Sequence, residues 1–288
     1  MIKSDNVGIV YNPHNSKAKP LAENLWDILS LKEPSWILST PELGDAVLSL
    51  STAVIITVGG DGTILSANQA AASIGIPILG VNLGRVGFMT ELSAEESLTK
   101  IWDYVRGEAR IETRAMLEAK VSSGGEKSTP LYLHALNDVV VGRDVISRLV
   151  HLEVKIDGAT LITYRADGVI VATATGSTGY SIAAGGPILH PQSRDLLISP
   201  VATHLGLSTS LVLSPDSMVE ICLRSDFPGV VSVDGRTDIP LSPGDSVEVK
   251  RSSQTAKFLR MQPYNHFYAT LTNRLNPDTR VDNVSGVG

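Results

Sequence analysis

Short apolar runs alternate with segments of helical spacing over the first third of the chain. Residues 7–11 read as a strand, a polar loop occupies 12–19, and a helix pattern begins near Pro20 with Leu21, Leu25 and Leu29 on one face. Residues 35–38 and 41–50 repeat the unit as strand and helix. The β-branched run 54–58 has no polar side, which predicts a strand buried on both faces of a parallel sheet. Residues 63–74 then place Ile64, Leu65, Ala67, Ala71 and Ile74 largely on one helical face, with Gly75 placed to end the helix. A fourth strand follows at 76–81, and Ser93 opens a helix with Glu95 and Glu96 in its first turn that ends near Gly107. Such alternation predicts an α/β domain with a parallel, Rossmann-like sheet covered by helices on both faces.

After about Arg110 the texture changes to short strands with turn signals, at 112–121, 131–141 and beyond, with a turn at 122–127. Segments 149–156 and 160–164 pair across Asp157-Gly158, a strong hairpin signal. Further strands are predicted at 168–172, 208–213, 218–223, 230–233, 246–250 and 257–261, so the downstream half reads as a β-rich, sandwich-like domain. Residues 266–275 return to helical spacing at Phe267, Leu271 and Leu275, and the tail after Asn276 is polar enough to fray.

A chain of 288 residues has room for two ordinary domains, each with its own core. With 43% hydrophobic and 19% charged residues it belongs among soluble globular proteins. The net charge of −6, with no lysine or arginine run, argues against nucleic acid as a partner. The single cysteine, Cys222, excludes an internal disulfide and lies in an apolar strand pattern, which suits a core residue of a cytoplasmic protein. No apolar run approaches the roughly 20 residues that span a bilayer, so no membrane partner is expected. The N-terminus carries no signal-peptide pattern.

Three stretches carry chemistry. Gly59-Gly60-Asp61-Gly62-Thr63 joins the buried strand to a helix: the glycines permit positive φ and close approach of a ligand, and the helix N-terminus favours an ionised Asp61. In Leu136-Asn137-Asp138-Val139, an amide and an acid interrupt an otherwise apolar strand, and buried they need partners that a ligand with several hydroxyls could supply. An Asn-Asp turn between two strands is the alternative. From Asp167 to Pro187, small residues let a ligand lie on the backbone, while the hydroxyls of Thr175, Thr178, Tyr180 and Ser181 can donate to phosphates or base edges. Residues 180–184 can open a helix suited to anions. The loop 12–19, through Ser16 and Lys17, could hold phosphate or simply connect, and Phe88 in the glycine loop 82–91 could stack on a base or fill the core.

In order and spacing, Gly59-Gly60-Asp61-Gly62-Thr63, the 82–88 loop, Asn137-Asp138 and Thr175-Gly176-Ser177-Thr178-Gly179-Tyr180-Ser181 through Gly185-Gly186-Pro187 resemble the bacterial and archaeal NAD kinase family, over nearly the whole chain. The glycine-aspartate motif alone is shared with lipid kinases and phosphofructokinases. The resemblance implies an α/β domain over 1–110, completed by about 264–288 where the C-terminal segment returns, and a β-rich NAD-binding domain over 111–263. It implies transfer of a phosphoryl group from ATP, or polyphosphate, to the 2′-hydroxyl of the adenosine ribose of NAD, giving NADP, with a divalent metal, magnesium by expectation. Asp61 would take the hydroxyl proton or help hold the metal, with Gly62 beside the ribose. Asn137 and Asp138 would fix the adenosine end, with Phe88 and Thr175 near the base. Thr178, Gly179, Tyr180, Ser181, Ile182 and Ala183 would line the phosphates. Arg165, Asp167 and Ala202 would meet the nicotinamide end, which the family often completes with a neighbouring subunit, so a homodimer or homotetramer is implied; Arg148 and Arg236 are further carry-overs. The sequence departs from the family by lacking the common Pro-His pair in 200–205 and by having Arg236 after Asp234-Gly235. A lipid kinase, and a non-catalytic dinucleotide sensor that could dispense with Asp61, remain the alternative functions. The sequence lacks the amphipathic basic helix that would dock a lipid kinase on a membrane.

Overall fold

The computed structural model describes residues 6–43, 52–84, 87–123, 129–145, 148–204 and 207–275. The chain divides into two compact units, Met1–Ala70 with Ile76–Ile111 and Phe258–Gly288, and Ala71–Gly75 with Glu112–Lys257. Most of the expected 41–50 helix and of the 122–127 turn, Arg85 and Val86 in the glycine loop, Leu205, and the tail from Asn276 lie outside the described residues.

The first unit contains β1 (Val7–Tyr11), α1 (Ala18–Ile28), β2 (Trp36–Ser39), β3 (Val54–Val58), α2 (Asp61–Ala71), β4 (Ile78–Asn82), β5 (Leu92–Ser93) and α3 (Ala94–Val105). Strands β4, β3, β1 and β2 lie side by side, all parallel, and β5 extends β4 in parallel. Every residue of β3 and β4 is buried, as strands covered on both faces of a parallel sheet require, including Thr57, whose hydroxyl donates to the Leu79 carbonyl, and Asn82. One face, carrying Val7, Ile9, Val54, Ile56, Leu79 and Val81, packs on Leu21 and Leu25 of α1 and Ile101 of α3. Gly80 points to the other face, where a Cβ would lie 2.7 Å from Cδ1 of Ile64, so α2 covers that side through the gap a glycine leaves. The expected start of α3 is borne out in detail: Ser93 Oγ accepts the Glu96 amide at 3.1 Å and a Glu96 carboxylate oxygen accepts the Ser93 amide at 3.1 Å. Helix α2 begins two residues earlier than its apolar face suggests and stops at Ala71, so Ile74 lies past its end and is 48% exposed.

The second unit is built from β6 (Arg110–Ser122), β7 (Leu131–Ala135), β8 (Asp138–Arg143), β9 (Val150–Ile156), β10 (Ala159–Ala166), β11 (Gly168–Ala172), α4 (Tyr180–Ala183), β12 (Leu196–Val201), β13 (Leu211–Leu213), β14 (Val219–Leu223), β15 (Gly229–Val233), β16 (Thr237–Leu241) and β17 (Ser246–Arg260). One antiparallel sheet runs β13-β12-β11-β8-β15-β16, and in the second layer β10-β9-β14-β17 is extended by β6 and β7. Alternate residues of both layers, among them Val139, Val169, Leu196, Val231, Leu152, Ile221 and Val247, form one shared core. The outer face of the first sheet, Ile170, Ala172 and Leu197, is covered by Ala184 and Leu189 just after α4. The β9–β10 hairpin turns through Asp157 and Gly158 at φ +52° and +82°, the two positive values a type I′ turn needs. The end of β17 falls in the first unit, where Phe258 pairs in parallel with Ile78, and α5 (His266–Leu275) follows there.

Three strand expectations change. Residues 131–141 are not one strand: the chain bends at Leu136 and Asn137 and passes from β7 in one sheet to β8 in the other, so the turn reading holds. Segments 246–250 and 257–261 are one continuous strand, and β12 and β16 stand where no strand was expected.

Candidate active site

The parallel register brings the carboxyl ends of three strands of the first unit level. Tyr11 pairs with Val58 and Val58 with Val81, and the amides of Asn12 and Gly59 continue the ladder to the Val58 and Val81 carbonyls at 3.1 and 2.9 Å. Beyond this edge Asp61 is the first residue of α2, where the exposed amides favour negative charge. Its carboxylate is fixed from a second loop: Oδ2 accepts the Phe88 amide at 3.0 Å and Oδ1 the Met89 amide at 3.1 Å. Phe88 therefore meets Asp61 through its backbone. Gly87 makes this approach possible, because a Cβ there would lie 2.3 Å from Asp61 Oδ1.

The motif glycines do not adopt the left-handed conformation the sequence suggested. Gly59 is needed for packing, since its Cβ would fall 2.2 Å from Thr63 Oγ1, whereas Cβ atoms at Gly60 and Gly62 would meet nothing within 4 Å. Asn12 and Asn82 hold their own loops: Asn12 Oδ1 accepts the His14 amide at 3.0 Å, and Asn82 donates to the Gly84 carbonyl at 2.8 Å. In the same edge loop Ser16 and Lys17 are exposed.

A second constellation lies in the bend between β7 and β8. Asp234 accepts the amides of Leu136, Asn137 and Asp138 at 2.9, 2.7 and 3.2 Å, and its own amide donates to the Asp138 carbonyl at 3.0 Å. From the other side Thr173 donates its hydroxyl to the Leu136 carbonyl at 2.6 Å and its amide to the Asn137 carbonyl at 2.9 Å. A Cβ on Gly176 would stand 2.1 Å from the Asn137 oxygen, so only glycine allows the hydroxyl-rich segment this close. Clamped this way, Asn137 and Asp138 sit beside the turn carrying Gly179, whose Cβ would be 3.6 Å from Asp138 Oδ2. Burial, followed by the neighbouring Asp234 carboxylate, pushes the Asp138 carboxyl up to about 7, against an opposing hydrogen bond from the Tyr180 amide. Asp234 is itself raised by burial, opposed by its three amide donors and Arg236.

The hydroxyls of the segment divide into two kinds. Ser181 is fully buried with its Oγ 3.1 Å from Ser199 Oγ, and Thr178 donates to the Thr175 carbonyl at 3.1 Å. Their oxygens are engaged by the protein. Thr175 Oγ1 is buried with no hydrogen-bond partner among the described residues, an orphan of the kind a ligand relieves, and Tyr180 is exposed. The expected helix at 180–184 amounts to the single turn of α4, which exposes Gly179 and Ala183 and half-buries Ile182.

Arg165 and Asp167 lie at the passage from β10 to β11, and Ala202 just past the end of β12, where Val201 pairs with Gly168: Arg165 is exposed with its carbonyl accepting the His204 amide at 2.9 Å, Asp167 pairs with Arg143 at 3.0 Å, and exposed Ala202 has φ +47°. Arg148 instead stacks over the Phe227 ring at 4.4 Å. Arg236 is exposed on the turn after Asp234 and Gly235.

Among the described residues no group of three or more His, Cys, Asp or Glu side chains could cage a metal. Asp61 suits a different arrangement. Each of its oxygens accepts one backbone amide, and a carboxylate oxygen has a second lone pair to offer, which fits an ion carried largely by phosphates and water with one protein carboxylate.

Sequence reasoning gave no role to Asp234, Gly87, Glu91 or Arg260, the first three named only within their loops. A charged residue inside the apolar run Phe258-Leu259-Arg260-Met261 was the available signal, since a buried charge needs a partner.

Comparison with known proteins adds the following. Residues 39–109 match the family model of the ATP-NAD kinase N-terminal domain and residues 136–261 that of the ATP-NAD kinase C-terminal domain. The chain is 41% identical over 271 residues to an NAD kinase of Dehalococcoides mccartyi strain CBDB1, covering 93% of this chain and 95% of that one. It is 40% identical over 276 residues to an NAD kinase of Chloroflexus aurantiacus strain J-10-fl, covering 94% and 98%. Among solved structures, a yeast NADH kinase complexed with NADH superposes with a TM-score of 0.81 at 25% identity, covering 98% of this chain and 90% of that one. An NAD kinase from Archaeoglobus fulgidus in complex with ATP gives a TM-score of 0.75 at 24% identity, covering 94% and 98%, a likeness of fold.

Proposed function

The chain belongs to the ATP-NAD kinase family, and from that premise we infer that it transfers the terminal phosphoryl group of ATP to the 2′-hydroxyl of the adenosine ribose of NAD, giving NADP and ADP. The observation that carries the mechanism is the Asp61 carboxylate, set at a helix N-terminus and held through both oxygens by the Phe88 and Met89 amides. Asp61 accepts the proton of the 2′-hydroxyl as that oxygen bonds to the terminal phosphorus and the bond to the leaving ADP oxygen breaks. General-base help of this kind contributes about 10²- to 10⁴-fold. The rest of phosphoryl transfer is positioning and charge neutralisation. A divalent cation, magnesium by preference, would neutralise the phosphate charge when bound, with Asp61 the carboxylate of the chain to hold it.

Binding roles follow from the second unit. Asn137 and Asp138, fixed from behind by Asp234 and Thr173, hold the adenosine hydroxyls, and the unpartnered Thr175 hydroxyl bonds to the base. The backbone from Thr178 through Gly179, Tyr180, Ser181 and Ile182 to Ala183 lies along the dinucleotide phosphates. Bare backbone at Gly60 and Gly62 leaves room for the ribose and triphosphate, with the Phe88 ring near the base. Arg165, Asp167 and Ala202 meet the nicotinamide end together with a neighbouring copy of the chain, in a homodimer or homotetramer, and Arg148 and Arg236 contribute more distantly. Residues 1–110 with about 264–288, and residues 111–263, are the two functional domains. Among the described residues no helix is long and apolar enough to cross a membrane, and we place the enzyme in the cytoplasm.

The test is to incubate the protein with NAD, magnesium and either ATP or polyphosphate, and to measure NADP with an NADP-specific dehydrogenase. NADP formed from ATP supports the reading. Tight NAD binding without NADP from either donor would refute it in favour of a dinucleotide sensor.

A further inference from the structure

If Asp61 works as the base, something must hold the two amides that hold it. The turn from Gly87 to Thr90 is closed internally by Thr90 Oγ1, which accepts the Gly87 amide at 3.0 Å. It rests on Gly80, where a Cβ would come within 3.0 Å of Thr90 Cα. Behind it, Arg260 Nη2 donates to the Met89 carbonyl at 2.9 Å and Nη1 meets Glu91 Oε2 at 3.2 Å, with the guanidinium 5.0 Å from the Phe258 ring. Glu91 is anchored in turn: its Oε1 accepts the amides of Met261 and Gln262 at 2.8 and 3.2 Å and the Tyr104 hydroxyl at 3.0 Å.

Both side chains are deeply buried, with 6% of Arg260 and 4% of Glu91 exposed. A buried ion pair is a poor way to gain stability, because well-packed apolar residues of similar volume serve as well or better. What it supplies is geometry, since the planar guanidinium fork fixes direction as well as distance. Met89 is the link: its carbonyl takes the Arg260 bond and its amide gives the Asp61 bond.

Building on the reading of Asp61 as the base, we propose that Arg260, oriented by Glu91, is a positioning residue for the phosphoryl transfer, fixing the Asp61 carboxylate through Met89. It touches neither substrate. Its removal therefore lowers kcat and leaves substrate binding nearly intact.

The experiment compares Arg260→Lys and the double variant Arg260→Gln with Glu91→Gln, each with Asp61 intact and with Asp61→Asn, reading kcat, KM for NAD, KM for ATP and thermal melting. The expected result is a kcat loss of about 10- to 100-fold in the double variant with each KM within about threefold, since sub-ångström misplacement is costly to rate. Arg260→Lys recovers part of the loss, and it decides alone if the double variant does not melt cooperatively. With Asp61→Asn already present, the Arg260 substitutions change the residual rate less than about twofold, as residues acting as a unit do. A folded double variant with kcat within threefold of the parent, an Arg260→Lys protein with kcat unchanged from the parent where the double variant does not fold, or an equal loss in both backgrounds, overturns the positioning role. High activity of Asp61→Asn alone would instead overturn the assignment of the base.

Discussion

Gly87→Ala isolates the geometry of Asp61. The new Cβ would stand 2.3 Å from Oδ1, 2.8 Å from Cγ and 2.9 Å from Oδ2, where ordinary contact begins at 3.4 Å. The collision is with the carboxylate that the turn itself holds. Relief requires the carboxylate to retreat by roughly 1 Å, or the turn to shift against Thr90 and Arg260. Retreat gives up one or both amide bonds to a charged group, each worth about 1.5–3 kcal/mol and less where water can substitute. Stability should fall by about 1–3 kcal/mol, which for a chain of this size lowers Tm by roughly 2–12 °C. The rate should fall further, by about 10²-fold, because that is the usual cost of a 1 Å misplacement. Initial rates of NADP formation at saturating NAD and ATP, beside a thermal melt, separate the two effects. Gly84→Ala, with nothing within 4 Å of its Cβ, is the control and should stay within about threefold of the parent. A folded Gly87→Ala protein with near-parental kcat would refute the claim that the amide-held position of Asp61 matters.

Other consequences concern the second unit. Because the folded-state pKa of Asp138 is raised to about 7, the folded protein holds a proton there that the unfolded chain releases, so this contribution is present below about pH 4 and lost as pH rises toward 7. Asp138→Asn should thus gain in Tm over the parent as pH rises from 5 to 8, and a pH-independent difference would contradict it. Thr175→Val should leave Tm unchanged or higher, since it removes an unpartnered buried hydroxyl, while raising KM for NAD about tenfold. Gly176→Ala should raise KM for NAD and cost about 1–3 kcal/mol, because its Cβ would strike the Asn137 carbonyl; denaturant titration and steady-state kinetics check both.

Much of this architecture could be read along the chain, for identifiable reasons. Strand β3 is β-branched at every position and apolar but for Thr57, and the Asp157-Gly158 turn demands positive φ at two positions, so both declare themselves locally. Strands β12 and β16 do not, since each contains a proline, Pro200 and Pro240, which argues against a strand until its place in the sheet is known. Polar Ser252 and Gln254 split β17 on paper, yet both bond to His134, and the strand continues. The site shows the same division. Asp61, Asn137 and Thr175 stand out by composition, whereas Asp234 and Arg260 act on Asn137 and Met89 across 97 and 171 residues, a separation no spacing rule reaches.

Everything turns on the Asp61 carboxylate at the acceptor hydroxyl. Asp61→Asn closely keeps the side-chain shape, gives up one of the two amide bonds because its Nδ2 cannot accept, and removes the base, so it should bind NAD within about threefold of the parent while NADP formation in a single turnover falls by 10²-fold or more. A folded Asp61→Asn protein that forms NADP at the parental rate would contradict the account.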